Sequence, residues 1–301
     1  TEVDVYEEAA RLVGYDRIVS TVPTGPLLGG SSEATTAFRR AHMLKELCAS
    51  LGLIETINWS LVSEADLLRC GSLSAQAVRL ANPLSQDHAW LRPSLLVGLL
   101  QTLRRNVTQG VSDVAIFEVG TIMPSQAAAE RLQLGIALSG FCTHVWHTMI
   151  PCDFLTLKGL VQAIAERLGQ GAITYAPASL SWAEPGQAST LMRDGTPIGS
   201  LGQVARSIAH ALDIEQGVWV AELSLEALLA AQASTAPIHA PTTVPAVKRD
   251  LSLFVDARTP FQELHRAIQE TGAPLAGGVL LIDRYTGKQV PSGQCSLTFS
   301  I

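Results

Sequence analysis

The sequence predicts an α+β fold in two parts: a larger antiparallel sheet with flanking helices, then a smaller β-α-β-β unit. Three observations carry this expectation. Apolar residues recur at helical spacing in some segments and alternate in others. A hairpin-type turn, Asp194-Gly195, stands between Leu191-Met192 and Ile198. Residues 231–245 are rich in Ala, Thr and Pro, lack periodicity, and read as a linker between the parts. A length of 301 residues suits about two domains at the usual ~100–200 residues each.

Residues 4–14 read as a short helix capped by Asp4 with Glu7 three later, and Gly14 closes it. A Pro/Gly-rich stretch from Pro23 to Gly30 follows. Ser32 is placed to cap a helix over 33–51, where Phe38, Ala41, Leu44, Cys48 and Leu51 keep helical spacing and Gly52 stops it. Ile54–Val62 alternates like a strand, Ser63 caps a short helix ending near Cys70, and 78–81 is strand-like before Asn82-Pro83 breaks it. Pro93 suits the first turn of a helix whose buried face is Leu95, Leu96, Leu99, Leu100 and Leu103. Strands are expected at 114–119, 132–138 and 218–223, an amphipathic helix at 155–168, and a hairpin around Asp194-Gly195. Beyond the linker come strand 250–255, helix 260–271 and strands 279–285 and 295–301. This is a ferredoxin-like order without its second helix and last strand.

Composition narrows the function classes. The chain is 47% hydrophobic but only 16% charged, below the roughly 25% usual for soluble domains, a hint that some surface expects a partner. A net charge of −6 argues against nucleic-acid binding over the whole surface, while leaving room for a local contact. No apolar run is long enough for a membrane span. The acidic start, Thr-Glu-Val-Asp, lacks a signal-peptide core and an initiator Met, so the chain is expected to begin inside a longer one. Five dispersed cysteines without a CxxC pair suit a reducing cytoplasm.

Several constellations bear on chemistry. Asp4, Glu7 and Glu8 stand at i, i+3 and i+4, so they share one helix face, and their hard oxygens suit Mg²⁺; solvated acids in a capping box are the alternative. Cys142, His144, His147 and Cys152 are all zinc-competent residue types, but their spacing matches no standard finger and favours an ordinary loop. Gly202-Gln203-Val204-Ala205-Arg206 mimics a Gly-then-Arg adenine motif, and an ordinary helix start with an exposed Arg is the favoured account. Lys248, Arg249, Arg284 and Lys288 are the basic residues that mark the last part, without an aromatic pair of the RNA-recognition type beside them.

Seven motifs then line up in one order. They are Asp4-Val5-Tyr6-Glu7-Glu8-Ala9-Ala10-Arg11 with Gly14-Tyr15-Asp16-Arg17-Ile18; Gly52-Leu53-Ile54-Glu55-Thr56-Ile57-Asn58-Trp59-Ser60; and Asn82-Pro83-Leu84-Ser85 with 91–100 and Arg105-Asn106. Phe117-Glu118-Val119-Gly120, Asp153–Gly159, Pro245–Leu251 and Asp283–Gln289 complete the series. Together they resemble the C-terminal part of the bacterial phenylalanyl-tRNA synthetase β subunit, over essentially the whole chain. Departures are Glu184 where the family favours a His before Pro-Gly, Gly202-Gln203-Val204-Ala205 for a Gly-Glu-Leu-His pattern, and Thr121 for a usual Arg. The family's RNA-binding and editing modules precede this region, and Ile301 falls inside the last domain.

The resemblance implies three parts: the end of a small domain at 1–24, a class II synthetase-like noncatalytic core at 25–232, and a truncated ferredoxin-like anticodon-binding domain at 233–301. It implies a heterotetramer (α₂β₂) in which the α subunit joins phenylalanine to tRNA(Phe) using ATP and Mg²⁺. Asp4, Glu7 and Glu8 match the family's Mg²⁺ site shared with α, and Lys248, Arg249, Arg284 and Lys288 fall where it meets tRNA. A class II ATP site needs an Arg two residues before a Glu on a strand, and this chain sets Ile116 two before Glu118, which cannot neutralise phosphate. A stand-alone paralogue with an RNA-binding or regulatory role, or an enzyme with an unrecognised pocket, are the competing expectations.

Overall fold

The computed structural model describes all residues except 23, 26–32, 73–76, 146–147, 170–172 and 230–244, and only the backbone of 33–35, 37, 142–145 and 148. Its contacts divide the chain into two compact units, Thr1–Thr235 and Ala236–Ile301.

The first unit opens with helix α1 (Glu2–Val13), whose N-cap is Thr1 and whose side chains all remain unburied. Asp4 lies inside the helix rather than at its cap, so the expected start moves two residues earlier. Helix α2 (Glu33–Ser50) follows, then the two-residue strands β1 (Ile54–Glu55) and β2 (Leu61–Val62). The continuous strand expected over Ile54–Val62 is broken because Asn58 turns inward to the carboxylate of Glu118. Ser63 caps helix α3 (Glu64–Arg69) by accepting the Asp66 N–H at 3.0 Å, as its position suggested. The stretch 78–81 contributes one isolated bridge, Arg79 to Trp90, beside β3 (Trp90–Leu91).

Helix α4 (Leu96–Thr108) starts three residues after Pro93. Strands β4 (Val114–Ile122), β5 (Arg131–Ser139), β6 (Phe141–Val145) and β7 (Thr148–Pro151) come next. Asp153 caps helix α5 (Phe154–Arg167) through the Thr156 N–H at 2.7 Å. Strands β8 (Thr174–Pro177), β9 (Ala183–Arg193) and β10 (Thr196–Val204), helix α6 (Arg206–Ala211), strand β11 (Val218–Ser224) and helix α7 (Leu225–Leu229) complete the unit. The β9–β10 turn uses Asp194 at φ 49° and Gly195 at φ 77°, the two left-handed residues that a tight hairpin demands.

Seven strands form one sheet in the order β1-β4-β5-β11-β10-β9-β8, antiparallel except for the β1–β4 pair. Alternation along β4 sends Val114, Ile116 and Ile122 to one face and Phe117 to the other. On the first face lies α4, whose Leu96, Leu99, Leu100 and Leu103 are fully buried. At about 1.5–3 kcal/mol per buried side chain, this stripe anchors the helix to the sheet. The second face is covered by α2 (Leu44, Cys48), α5 (Leu157, Val161, Ile164) and α7 (Leu225, Leu228).

The second unit contains β12 (Asp250–Asp256), helix α8 (Phe261–Gly272), β13 (Leu280–Tyr285) and β14 (Gln294–Ser300). Its sheet order is β12-β14-β13, all antiparallel. Cys295, Leu297 and Phe299 of the central strand pack with Leu253, Val255, Leu264 and Ile268 on the side covered by α8. The other side of the sheet carries the opposite phase of each strand.

Candidate functional site

Four separate segments converge on a buried polar centre in the first unit. Strand β4 delivers Glu118, the segment after β1 delivers Asn58, the loop before α4 delivers Arg92 and Ser94, and β11 delivers Glu222. Arg92 Nη1 donates to Glu118 Oε1 at 2.6 Å, and both side chains are almost wholly buried, at 4% and 3% exposure. Arg92 Nε donates to the Thr121 carbonyl at 2.9 Å. Asn58 Nδ2 donates to the other Glu118 oxygen at 2.7 Å, and Thr102 of α4 donates to Asn58 Oδ1 at 2.7 Å. Each polar group thus has its partner inside the protein.

The Glu222 carboxylate sits at the start of α4. It accepts the Ser94 hydroxyl on both oxygens at 2.9 Å and the Leu95 N–H at 2.6 Å, supplying acceptors that a helix start requires. Burial raises its pKa, and Ser94, the backbone N–H groups of Leu95 and Leu96, and the charge of Arg92 pull it back. This arrangement explains why α4 begins at Leu96 rather than at Pro93.

Chemically the centre is self-satisfied. Ile116 is 5% exposed and faces Ala137 across the strand pair, so the position two before Glu118 is core. The Glu118 carboxylate is taken up by Arg92 and Asn58. A cleft of about 230 Å³ beside Arg92 is lined by Ser60, Thr121, Ile122, Met123 and Glu130, and the guanidinium at its wall is held by Glu118 and Thr121.

Asp4, Glu7 and Glu8 stand within one turn of the exposed helix α1. The hydroxyl of Thr1 donates to Asp4 at 2.7 Å, and Arg11 pairs with Glu8 at 2.5 Å. Their oxygens suit Mg²⁺ in kind, but among the described residues no three acid, His or Cys side chains are close enough to hold a metal ion. Of the zinc-competent set, His147 lies outside the described residues, as do the side chains of Cys142 and His144. Cys152 is disulfide-bonded, so it offers no thiolate to zinc. Cys48, Cys70 and Cys295 are free and buried. Arg206 opens α6 with its side chain exposed, and its N–H is accepted by Glu184 at 3.0 Å, so the Gly-then-Arg stretch is the end of β10 running into a helix start.

Lys248, Arg249, Arg284 and Lys288 are all exposed on the second unit. Lys248 and Arg249 precede β12, with the Arg249 backbone paired to Ile301, and Lys288 lies past β13. Register sets Arg284 opposite Leu297, on the α8 side, and sets Asp283 and Tyr285 opposite Thr298 and Ser296, on the open side. Sequence reasoning missed this open side. Its signal was phase: Leu251, Leu253 and Val255 alternate inward, which leaves Phe254 in the outward set with Ser252 and Asp256.

Known proteins resemble both units. The family model described as phenylalanyl tRNA synthetase beta chain CLM domain matches residues 18–225, and that of the ferredoxin-fold anticodon binding domain matches residues 242–301. The phenylalanine–tRNA ligase beta subunit of Geobacillus kaustophilus is 32% identical over 307 residues, taking in 100% of this chain and 38% of that protein. The same subunit of Shouchella clausii is 32% identical, with 99% and 38% covered. The chain therefore spans 38% of the length of these relatives. A solved pyrrolysyl tRNA synthetase from Desulfitobacterium hafniense superposes with a TM-score of 0.51 at 17% identity, over 64% of this chain and 67% of that one. That likeness is one of fold, and it gives the larger sheet a class II synthetase-like architecture.

Proposed function

Since this chain belongs to the phenylalanyl-tRNA synthetase beta chain family, we propose that it is a noncatalytic, tRNA-contacting portion of phenylalanine–tRNA ligase. The complete enzyme joins phenylalanine to tRNA(Phe) with ATP and Mg²⁺, and the α subunit of an α₂β₂ assembly performs the chemistry. Within this chain the working parts are 1–24, 25–232 and 233–301. The two compact units and the two matched family spans support the boundary between the second and third of these parts.

One observation carries the noncatalytic reading: the place where a phosphate-binding pair would stand is occupied by a core Ile116 and by Glu118 locked to buried Arg92. The buried stripe of α4 then acts as scaffold. Contact with the α subunit falls to the exposed apolar residues in and just after β1, namely Ile54, Ile57 and Trp59. In the second unit, Lys248, Arg249, Lys288 and, from the α8 side of its edge strand, Arg284 supply phosphate contacts, and the open sheet side with Tyr285 meets the tRNA loop.

With the α subunit and residues upstream in place, Asp4 and Glu8 would turn from their present partners and, with Glu7, supply three ligands of a shared Mg²⁺ site. Mg²⁺ supplies charge neutralisation at that junction when bound. Alone, α1 has Glu8 paired with Arg11 and Asp4 with Thr1. The test is co-elution of the β subunit with its α subunit on size exclusion, with and without a chelator. Co-elution that Glu8→Gln weakens, or makes independent of Mg²⁺, is the expected result. Separate elution of the two chains overturns the reading.

A further inference from the structure

The open side of the small sheet carries two aromatic rings in one row. Phe254 on β12 and Tyr285 on β13 both pair with Ser296 of the central strand, so all three side chains leave the same side. Phe254 is 61% exposed and Tyr285 46%. We propose that Phe254 is a second base-stacking residue, holding a different unpaired nucleotide from the one that meets Tyr285. This deepens the tRNA-contact reading and rests on it.

Spacing argues for two separate bases. The outer strands stand two strand intervals apart, roughly 10 Å, since neighbouring strands lie about 4.8 Å apart. Bases stacked in a duplex are about 3.4 Å apart. Rings this far apart neither sandwich one base nor fit a continuous stack. They suit consecutive or near-consecutive nucleotides splayed out of a single-stranded loop.

The surroundings argue for a base rather than a protein side chain. By register, the neighbours of Phe254 on its side are Ser252, Asp256, Gln294, Ser296 and Thr298, all polar. A protein-docking patch needs contiguous apolar area, whereas a base needs one ring and polar groups at its edge. Ser252 and Thr298 bond to each other at 2.9 Å and form a low floor between the strands. Asp283, opposite Thr298, adds an acceptor for amino groups on a base edge.

The test uses the whole chain and an RNA hairpin bearing the anticodon stem and loop of tRNA(Phe), with 2-aminopurine placed at one loop position at a time. The parent is expected to quench the fluorescence of two loop nucleotides. Phe254→Ala should weaken binding about 5- to 160-fold, the range for losing one stacked base. It should release the quench at one nucleotide only, and Tyr285→Ala should release it at the other. Phe254→Trp should restore binding, and the melting curve should stay that of the parent because the ring is exposed. If Phe254→Ala binds as the parent does while Tyr285→Ala weakens, the proposal fails and the tRNA reading stands. If Phe254→Ala spares RNA binding but loosens association with the α subunit, the ring belongs to a protein interface and the proposal fails. If the parent binds no hairpin, both fall.

Discussion

Replacing Arg92 with Met tests how the larger unit is held together. Arg92 is 4% exposed and donates to the Glu118 carboxylate and the Thr121 carbonyl. Met fills a similar volume but leaves Glu118 as a buried carboxylate with only Asn58 as its partner. Breaking a buried ion pair from one side costs about 3–5 kcal/mol, mostly the cost of the unpaired charge that remains. With a urea dependence of about 3 kcal/mol/M, the unfolding midpoint should fall by roughly 1–1.7 M. Tryptophan fluorescence is a clean probe, because all five tryptophans of the sequence precede residue 235 and none falls in the second unit. The double variant Arg92→Met/Glu118→Leu should recover much of the loss, since neither charge then remains. A single-variant loss below about 1 kcal/mol, or a double variant worse than the single, would refute the assignment of this pair as the core's charge lock.

Three further outcomes follow from the same geometry. Gly98→Ala should destabilise the first unit by about 1–3 kcal/mol in urea titration, because the new Cβ would stand 2.7 Å from the Asn58 Cβ and push that side chain off Glu118. Glu222 has a pKa raised above its usual 4.5, so its stabilising share is greatest below that value and is lost as pH rises through the raised one. The melting temperature of the parent relative to Glu222→Gln should therefore climb as pH is lowered from 8 toward 5, and a flat difference would contradict this. Burial pushes the Cys48 and Cys70 thiols up to about 12, so both should resist aromatic disulfide reagents at pH 8 until urea unfolds the unit.

Much of the fold was legible because local signals act within one segment. The amphipathic spacing at 155–168, the Asp194-Gly195 pair and the strand run at 114–119 each need only a few neighbouring residues to be understood. The polar centre was not legible, because Asn58, Arg92, Glu118 and Glu222 come from positions far apart in the chain. Asn58, Arg92, Ser94 and Glu118 were visible only as members of separate motifs that nothing in the sequence pairs, and Glu222 stood in none of them. The strand expected over Ile54–Val62 failed for the same reason: its alternation is real, but Ile57 and Trp59 are exposed while Asn58 is drawn to Glu118. The open side of the small sheet required register, which places Phe254, Ser296 and Tyr285 in one row although each looks ordinary in its own strand.

The central claim is that this chain scaffolds a ligase without performing its chemistry. The most direct measurement is phenylalanine-dependent exchange of pyrophosphate into ATP, run with Mg²⁺ on the purified chain and again with the α subunit and the complete β subunit. The filled centre at Ile116, Glu118 and Arg92 predicts no exchange above background from the chain alone, and robust exchange from the assembled enzyme. Exchange by the chain alone that phenylalanine stimulates, and that Glu118→Gln abolishes while the fold survives, would contradict the account.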